Sequence, residues 1–178
     1  MTPAAADDRS RLAADIVEAA YLEGDFVLSS GERSNFYFDK YLFETKPWIL
    51  GRVATGLAAL LPEGLDRIAG PELGAVALAS AVSLETQLPF VIVRKRVKGY
   101  GTDRAVEGEL HRGERVVVVE DIVSTGREAI RAAERLREEG VHVEAILAVI
   151  DREQGGAKNV EDAGFRLLSL FRREELGV

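Results

Sequence analysis

Apolar runs and helical apolar patterns alternate along this chain. Residues 116–119 are four consecutive valines, and β-branched residues without polar alternation are typical of a strand buried on both faces. The residues that follow carry apolar side chains at helical spacing, namely Ala129, Ile130, Ala133 and Leu136. Gly140 is a stop signal for that helix. The sequence therefore predicts a buried strand over residues 115–119, a turn, and a helix.

The same alternation covers the rest of the chain. The predicted helices are residues 12–23, 45–62, 75–85 and 172–176. The predicted strands are residues 68–70, 90–93, 143–150 and 165–170, with two short strands around a polar turn within residues 26–38. Strands that alternate with helices predict an α/β fold with a mainly parallel central sheet flanked by helices. Ligands in such folds lie beyond the carboxyl ends of the strands.

Composition limits the class of protein. The chain has 178 residues, 47% apolar and 30% charged, which fits one soluble globular domain. It has no cysteine, which excludes a disulfide framework and a zinc–cysteine site. Residues 1–10 lack the features of a signal peptide, and no apolar run approaches the roughly 20 residues of a membrane span. We expect a cytoplasmic protein without a membrane partner, and its net charge of −7 argues against a nucleic-acid partner.

The segment between the central strand and its helix carries the candidate chemistry. Glu120 and Asp121 follow the valines, and Ser124, Thr125 and Gly126 form a small polar turn before the helix. Free N–H groups at a helix N-terminus can bind a phosphate, and the two acids suit the hydroxyl groups of a ribose. The alternative is that the acids only end a strand and the serine only caps a helix. No Walker or G-x-G-x-x-G pattern occurs.

A basic segment interrupts the acidic background. Arg94, Lys95, Arg96 and Lys98 follow the predicted strand 90–93, and glycines flank them. A solvated charged face is the common meaning of such a run. The neighbouring strand and glycines favour a mobile phosphate-binding loop instead.

Residues 116–129 resemble the phosphoribosyl pyrophosphate (PRPP) motif of the type I phosphoribosyltransferases. Residues 26–31, 37–39, 93–98 and 151–152 are similar to segments of the orotate phosphoribosyltransferases, so the match covers roughly residues 26–152. This resemblance implies a type I phosphoribosyltransferase fold in a single domain over residues 1–178, with a small N-terminal hood over about residues 1–45 and a core over about residues 46–178. It implies transfer of the 5-phosphoribosyl group from PRPP to orotate.

The resemblance also implies a set of site residues. Those implied for PRPP are Arg94, Lys95, Lys98, Tyr100, Glu120, Asp121, Ile122, Val123, Ser124, Thr125, Gly126, Arg127 and Glu128. Those implied for orotate are Ser124, Arg152, Tyr37 and Phe38, and those implied for catalysis are Lys98, Asp121 and Glu120. The alternatives are core aromatic residues at positions 37 and 38 and a surface arginine at position 152.

The resemblance further implies Mg²⁺ carried by PRPP and pyrophosphate rather than by direct protein ligands, and a homodimer whose mobile loop acts in trans. The chain departs from some relatives at Ser29, Leu73, Gly74 and Tyr100, where those relatives have lysine, tyrosine or histidine. A phosphoribosyltransferase for another nucleobase is therefore an alternative. A PRPP-sensing regulator is a second alternative, which the acidic composition disfavours.

Overall fold

A computed structural model describes residues 3–27, 31, 33–95 and 105–177 as a central sheet flanked by helices. The described helices are α1 (Pro3–Ala20), α2 (Tyr41–Glu44), α3 (Pro47–Ala58), α4 (Ala75–Thr86), α5 (Arg127–Glu138), α6 (Gly156–Asp162) and α7 (Arg173–Leu176). The described strands are β1 (Tyr21–Val27), β2 (Arg33–Phe38), β3 (Arg67–Pro71), β4 (Phe90–Val93), β5 (Val106–Glu107), β6 (Arg115–Val123), β7 (His142–Asp151) and β8 (Leu167–Arg172).

The central sheet has the strand order β5-β4-β3-β6-β7-β8 in the described residues. The pairs β4–β3, β3–β6, β6–β7 and β7–β8 are parallel, and only the short edge strand β5 runs antiparallel to its neighbour. The prediction of an α/β fold with a mainly parallel sheet is therefore confirmed. None of the described helices is both long and apolar enough to cross a membrane.

The four valines of β6 lie at the centre of the molecule, as predicted. Val117 and Val119 belong to one apolar cluster together with residues of α1, α3 and α4. Val116 and Val118 belong to the cluster on the other face, together with residues of α5. Because all four side chains are fully buried, a continuous apolar run is the pattern that both faces of this strand require.

Several element boundaries differ from the sequence prediction. Strand β6 continues past Val119 to Val123, and β8 begins and ends two residues later than predicted. The first helix ends at Ala20 rather than near residue 23, because Tyr21 already pairs with Phe38 in the hood. Strand β5 and helices α2 and α6 were not predicted, since each is too short for a periodic apolar pattern.

The N-terminal hood contains a separate two-stranded antiparallel sheet. Strand β1 pairs with β2, with an irregular register between Glu23 and Phe26. Chain direction then leads from β2 through Asp39 and Lys40 into α2. This path brings the residues after β2 to the carboxyl end of the central sheet, where Lys40 contacts Asp121 of β6.

Candidate active site

A cavity of about 510 Å³ opens at the carboxyl end of the central sheet. Strand β6 and the start of α5 contribute a continuous part of its wall, residues 120–129. The other walls come from Lys40 between β2 and α2, from the ends of β3 and β4, and from one face of α5. The cavity therefore lies where ligands of parallel α/β sheets bind.

Two buried acids form the inner wall of this cavity. Glu120 is 9% exposed and Asp121 is 2% exposed. They lie here because β6 pairs with β3 only as far as Val118, whereas its pairing with β7 continues to Val123. On the β3 side, this extension leaves the two acids beside open space, whereas on the other side β6 is still paired with β7.

The hydrogen bonds of the acid pair leave it with one cationic partner among the described residues. Asp121 Oδ1 accepts the N–H of Ile122 at 2.6 Å, and Lys40 Nζ donates to Asp121 Oδ2 at 2.5 Å. Burial raises the pKa of Glu120, and the negative charge of Asp121 raises it further. Burial lowers the pKa of Lys40, but its hydrogen bond and attraction to Asp121 outweigh this and raise the pKa overall.

A third acid, Glu44 of α2, lies behind this group. Glu44 is 2% exposed, and within the described part of the chain its Oε1 has no hydrogen-bond partner. Burial raises the pKa of Glu44 to about 8, and repulsion from Asp121 adds to the effect. Sequence reasoning did not identify Lys40 or Glu44, because neither belongs to a recognisable motif.

The turn after β6 has the geometry expected of an anion-binding loop. Gly126 has a φ of +76°, a conformation that favours glycine, and it precedes the 12-residue helix α5. Asn159 of α6 donates to the carbonyl oxygen of Thr125 at 2.9 Å, and Gly156 packs directly against Ser124. The small side chains and the free N-terminal amides of α5 therefore face the cavity on a backbone that α6 supports.

The basic side of the cavity is only partly described. Arg94 is paired with Glu107 at 2.9 Å and lies 3.8 Å from Glu72. The main-chain N–H of Lys95 donates to Glu72 at 2.7 Å. Arg94 and Lys95 both line the cavity, whereas Lys98 and Tyr100 lie outside the described residues.

Helix α5 adds cations that sequence reasoning missed. Arg131 and Arg135 line the same cavity as Arg127. The spacing of four residues between them places all three on one face of the helix, and this is a signal that could have been read from the sequence. Arg135 is already engaged, since it donates to the carbonyl oxygens of Arg94 and Lys95.

The loop between β3 and α4 forms another wall of the cavity, separate from the phosphate turn (residues 124–126). It contains a cis peptide bond between Glu72 and Leu73 and then Gly74, which begins the 12-residue helix α4. Leu73 is 71% exposed, and Gly74 lines the cavity. The loop supplies backbone groups to this wall but no cationic side chain.

Arg152 lies in a small adjoining pocket rather than in the main cavity. Phe36, Phe38, Ile122 and Arg173 are among the residues around it. Burial lowers the pKa of Arg152, and the positive charge of Arg173 lowers it further. Ile122 lines both spaces and so joins the arginine to the acid wall.

The aromatic residues of β2 divide between its two faces. Phe38 lines the Arg152 pocket, but the Tyr37 ring packs against Phe26 with ring centroids 5.5 Å apart. Phe36 takes the place beside Phe38, as the alternation of strand side chains requires. The structure thus brings Arg152 and Phe38 together in one pocket, which the Tyr37 side chain does not line.

The residues of the cavity fit a magnesium ion that arrives with a phosphate ligand. Within the described residues, no three His, Cys, Asp or Glu side chains are grouped to hold a metal. Mg²⁺ usually keeps several of its waters, so substrate phosphates would hold the ion while Asp121 and Glu120 would contact the ribose hydroxyl groups and the waters around it.

Comparison with known proteins agrees with this geometry. The model of the phosphoribosyl transferase domain matches residues 51–169. The orotate phosphoribosyltransferase of Methanocella arvoryzae is 46% identical over 153 residues, which cover 86% of this chain and 87% of the relative.

Solved structures show the same arrangement over nearly the whole chain. The orotate phosphoribosyltransferase of Aeropyrum pernix aligns with a TM-score of 0.83 at 31% identity and covers 93% of this chain and 95% of its own. That of Mycobacterium tuberculosis H37Rv, solved in complex with PRPP, aligns with a TM-score of 0.81 at 26% identity and covers 96% and 99%. The cavity, the acid pair and the phosphate turn thus stand in a chain that belongs to the orotate phosphoribosyltransferases, within the phosphoribosyl transferase domain family.

Proposed function

We propose that this chain transfers the 5-phosphoribosyl group of PRPP to orotate, giving orotidine 5′-phosphate and pyrophosphate in pyrimidine (UMP) biosynthesis. The observation that carries the proposal is the single cavity bounded by the buried Glu120–Asp121 pair at one wall and by the phosphate turn at the next. A ribose 5-phosphate is long enough to reach both. A cytoplasmic location is part of the proposal, since a chain without cysteine has no disulfide to form in an oxidising compartment.

The proposed roles follow from the charge that develops in the reaction. The bond between the anomeric carbon of the ribose and the pyrophosphate oxygen breaks, so positive charge grows on the ribose and negative charge on the leaving group. Glu120 and Asp121 hold the ribose hydroxyl groups near the positive ring. The raised pKa of Glu120 favours its protonated form, which can donate a hydrogen bond while Asp121 accepts one.

Residues 124–128 bind the 5′-phosphate through the amides at the start of α5 in this proposal. Arg94, Lys95, Lys98 and Tyr100 bind the pyrophosphate, whose negative charge increases as it leaves. Magnesium enters as part of the substrate and reduces the charge of the diphosphate.

Arg152 is proposed to bind orotate, whose carboxylate suits the planar fork of a guanidinium. Its partly buried place beside Phe38 supports this, because a pocket with one cation and aromatic walls suits a flat anion. Ser124 and the main chain of residues 37 and 38 complete the orotate site in the proposal.

We also propose a homodimer in which the basic segment around Lys98 serves the partner's site. The loop of residues 71–74 carries no cationic side chain of its own. Exposed apolar side chains in α2 and at the start of α3 support an interface, with Tyr41 44%, Leu42 37% and Trp48 64% exposed.

The decisive experiment measures turnover of PRPP with orotate, uracil, hypoxanthine and adenine in parallel. We expect release of pyrophosphate with orotate and at most a trace with the other bases. Preferred turnover with a purine or with uracil would assign the chain to another base. No turnover with any base, by a folded protein, would overturn the proposed activity.

A further inference from the structure

Lys40 is a cation of the cavity that none of the roles above uses. Its ammonium group lies 2.5 Å from Asp121, and its side chain is 32% exposed whereas that of Asp121 is 2% exposed. A β-carbon added to Gly74 would lie only 2.7 Å from Lys40 Nζ. The ammonium group therefore stands between the acid wall of β6 and the loop that begins α4.

The loop beside Lys40 offers free main-chain N–H groups to an anion but carries no cationic side chain. Helix α4 begins there with no side-chain cap on its first amides, and Glu72 is occupied by the main chain of Lys95. Three described arginines of the cavity already have partners. Arg94 after β4 pairs with Glu107, Arg131 of α5 pairs with Glu128, and Arg135 donates to the main chain of residues 94 and 95. Among the described residues, Lys40 is the cation whose ammonium group lies beside Gly74.

We infer that Lys40 is a pyrophosphate-binding residue that links Asp121 to the diphosphate of PRPP. This inference rests on the proposed function. An ammonium group has three N–H donors, so Lys40 can keep its hydrogen bond to Asp121 and donate to a phosphate oxygen at the Gly74 wall. Asp121 stays ionised and can accept a hydrogen bond from the ribose. The diphosphate gains a cation from the same subunit that supplies Asp121.

The protonation of Lys40 is secure at neutral pH. Burial lowers its pKa, but the hydrogen bond to Asp121 and the electrostatic attraction to Asp121 and Glu120 act together to hold the pKa above its ordinary value. A compact ammonium group on a flexible stem suits a diphosphate whose charge is spread over several oxygens.

A purely supporting role for Lys40 makes a different prediction. If Lys40 only keeps Asp121 ionised, its loss weakens ligands that contact the ribose site and spares free pyrophosphate. If Lys40 binds the diphosphate, its loss weakens pyrophosphate directly. Loss of turnover alone would not separate the two roles, so the ligands must be measured one at a time.

The test is calorimetric binding of magnesium pyrophosphate and, separately, of ribose 5-phosphate. For Lys40→Met we expect the dissociation constant of pyrophosphate to rise about tenfold or more, as for loss of one charge-assisted hydrogen bond. The dissociation constant of ribose 5-phosphate should change by about twofold or less. Lys40→Arg should recover part of the pyrophosphate affinity. Lys158→Met is the matched control, since Lys158 pairs with Asp162 on the surface of α6.

The Asp121→Asn background removes the rival explanation. There Lys40→Met leaves no unpaired carboxylate at position 121, and the tenfold loss of pyrophosphate affinity should persist. If the loss disappears in that background, or if only ribose 5-phosphate weakens in the single variant, Lys40 acts through Asp121 and the inference is wrong.

Wild-type turnover separates this inference from the proposed function. If the wild-type protein turns over orotate but Lys40→Met leaves its affinity for pyrophosphate unchanged, only the inference about Lys40 is wrong. If the affinity for pyrophosphate depends on Lys40 but the protein does not turn over orotate, the proposed base is wrong and the role of Lys40 in binding pyrophosphate stands. A wild-type protein that binds no pyrophosphate overturns both.

Discussion

Glu44 is a buried carboxyl group beside the acid pair of the cavity, and it faces conflicting demands. Its 2% exposure removes it from water, and Asp121 and Glu120 repel its ionised form. Lys40 attracts that form but is already bound to Asp121. The neutral acid is therefore the form that the fold favours at pH 7.

This raised pKa predicts how stability depends on pH. The pKa of Glu44 rises from its usual 4.5 to about 8 on folding, so the folded state binds more protons between these values and stability falls as pH increases through that window. Glu44→Gln stays neutral in both states. Its melting temperature, relative to wild type, should therefore rise from pH 5 to pH 8 and level off above, by about 2–4 °C for each kcal/mol recovered.

Glu161→Gln, on the exposed surface of α6, provides the control for that series. Its carboxylate stays in water in both states, so its difference from wild type should not grow across the window. A constant difference for Glu44→Gln at every pH would mean that Glu44 is ionised in the fold.

Arg152 gives the second prediction at this scale. Arg152→Ala should raise the Michaelis constant for orotate by about 10- to 150-fold, as for a lost charge-assisted hydrogen bond, and change that for PRPP far less. Steady-state kinetics with each substrate varied in turn measures the split. Arg166→Ala, an exposed arginine before β8, serves as the control. Equal losses for both substrates would place Arg152 away from the base.

Residue types and their positions in the sequence predicted part of the candidate site. The residues that were missed depend on contacts between distant parts of the chain. Glu120, Asp121 and Arg152 were identifiable because charged groups directly after buried strands must face a sheet edge. Lys40 was not, since its contact with Asp121 joins residues 81 positions apart and no local pattern encodes it. At β2, strand alternation places the side chains of Phe36 and Phe38 in the Arg152 pocket, so the role proposed for Tyr37 rests on its main chain.

At the scale of elements, the sequence predicted the order of strands and helices but missed the details that shape the cavity. The apolar run of β6 ends at Val119, yet pairing with β7 carries the strand to Val123. That extension depends on a partner distant in sequence. The seven residues of α6 were also missed, although this helix supports the phosphate turn.

The contact between α6 and the turn predicts the effect of a single methyl group. A β-carbon at Gly156 would lie 2.6 Å from the carbonyl oxygen of Ser124 and 2.6 Å from Val123 Cγ1, so the turn must move. Gly156→Ala should raise the Michaelis constant for PRPP about tenfold or more, because anion binding by backbone amides depends on their positions. The constant for orotate should change less.

Gly51→Ala in α3 is the matched control, since a β-carbon there meets nothing within 4 Å. It should leave both Michaelis constants unchanged and stabilise the helix by about 0.5–1 kcal/mol. Unchanged PRPP kinetics in a folded Gly156→Ala protein would show that the turn tolerates displacement and that α6 does not position it.

At the scale of the whole molecule, one chain supplies most of a site. The acid pair, the phosphate turn, Lys40 and Arg152 all come from elements of the same subunit. Lys98 is the proposed exception, because in the proposed dimer it visits the neighbouring cavity. Substitutions can distinguish residues that serve their own subunit from residues that serve the partner. In the proposed dimer, a substitution of Asp121 impairs the site of its own subunit, and a substitution of Lys98 impairs the site of the partner.

Mixing two inactive variants tests that separation. Lys98→Ala and Asp121→Asn chains are dissociated, combined in equal amounts and reassociated, and exchange is confirmed by mass. If Lys98 serves the partner, each mixed dimer has one site with both residues intact and one site with both defects. Random pairing makes about half of the dimers mixed, so turnover should recover to roughly a quarter of wild type. If Lys98 serves its own subunit, every site keeps one defect, and turnover of the mixture stays at the level of the parents.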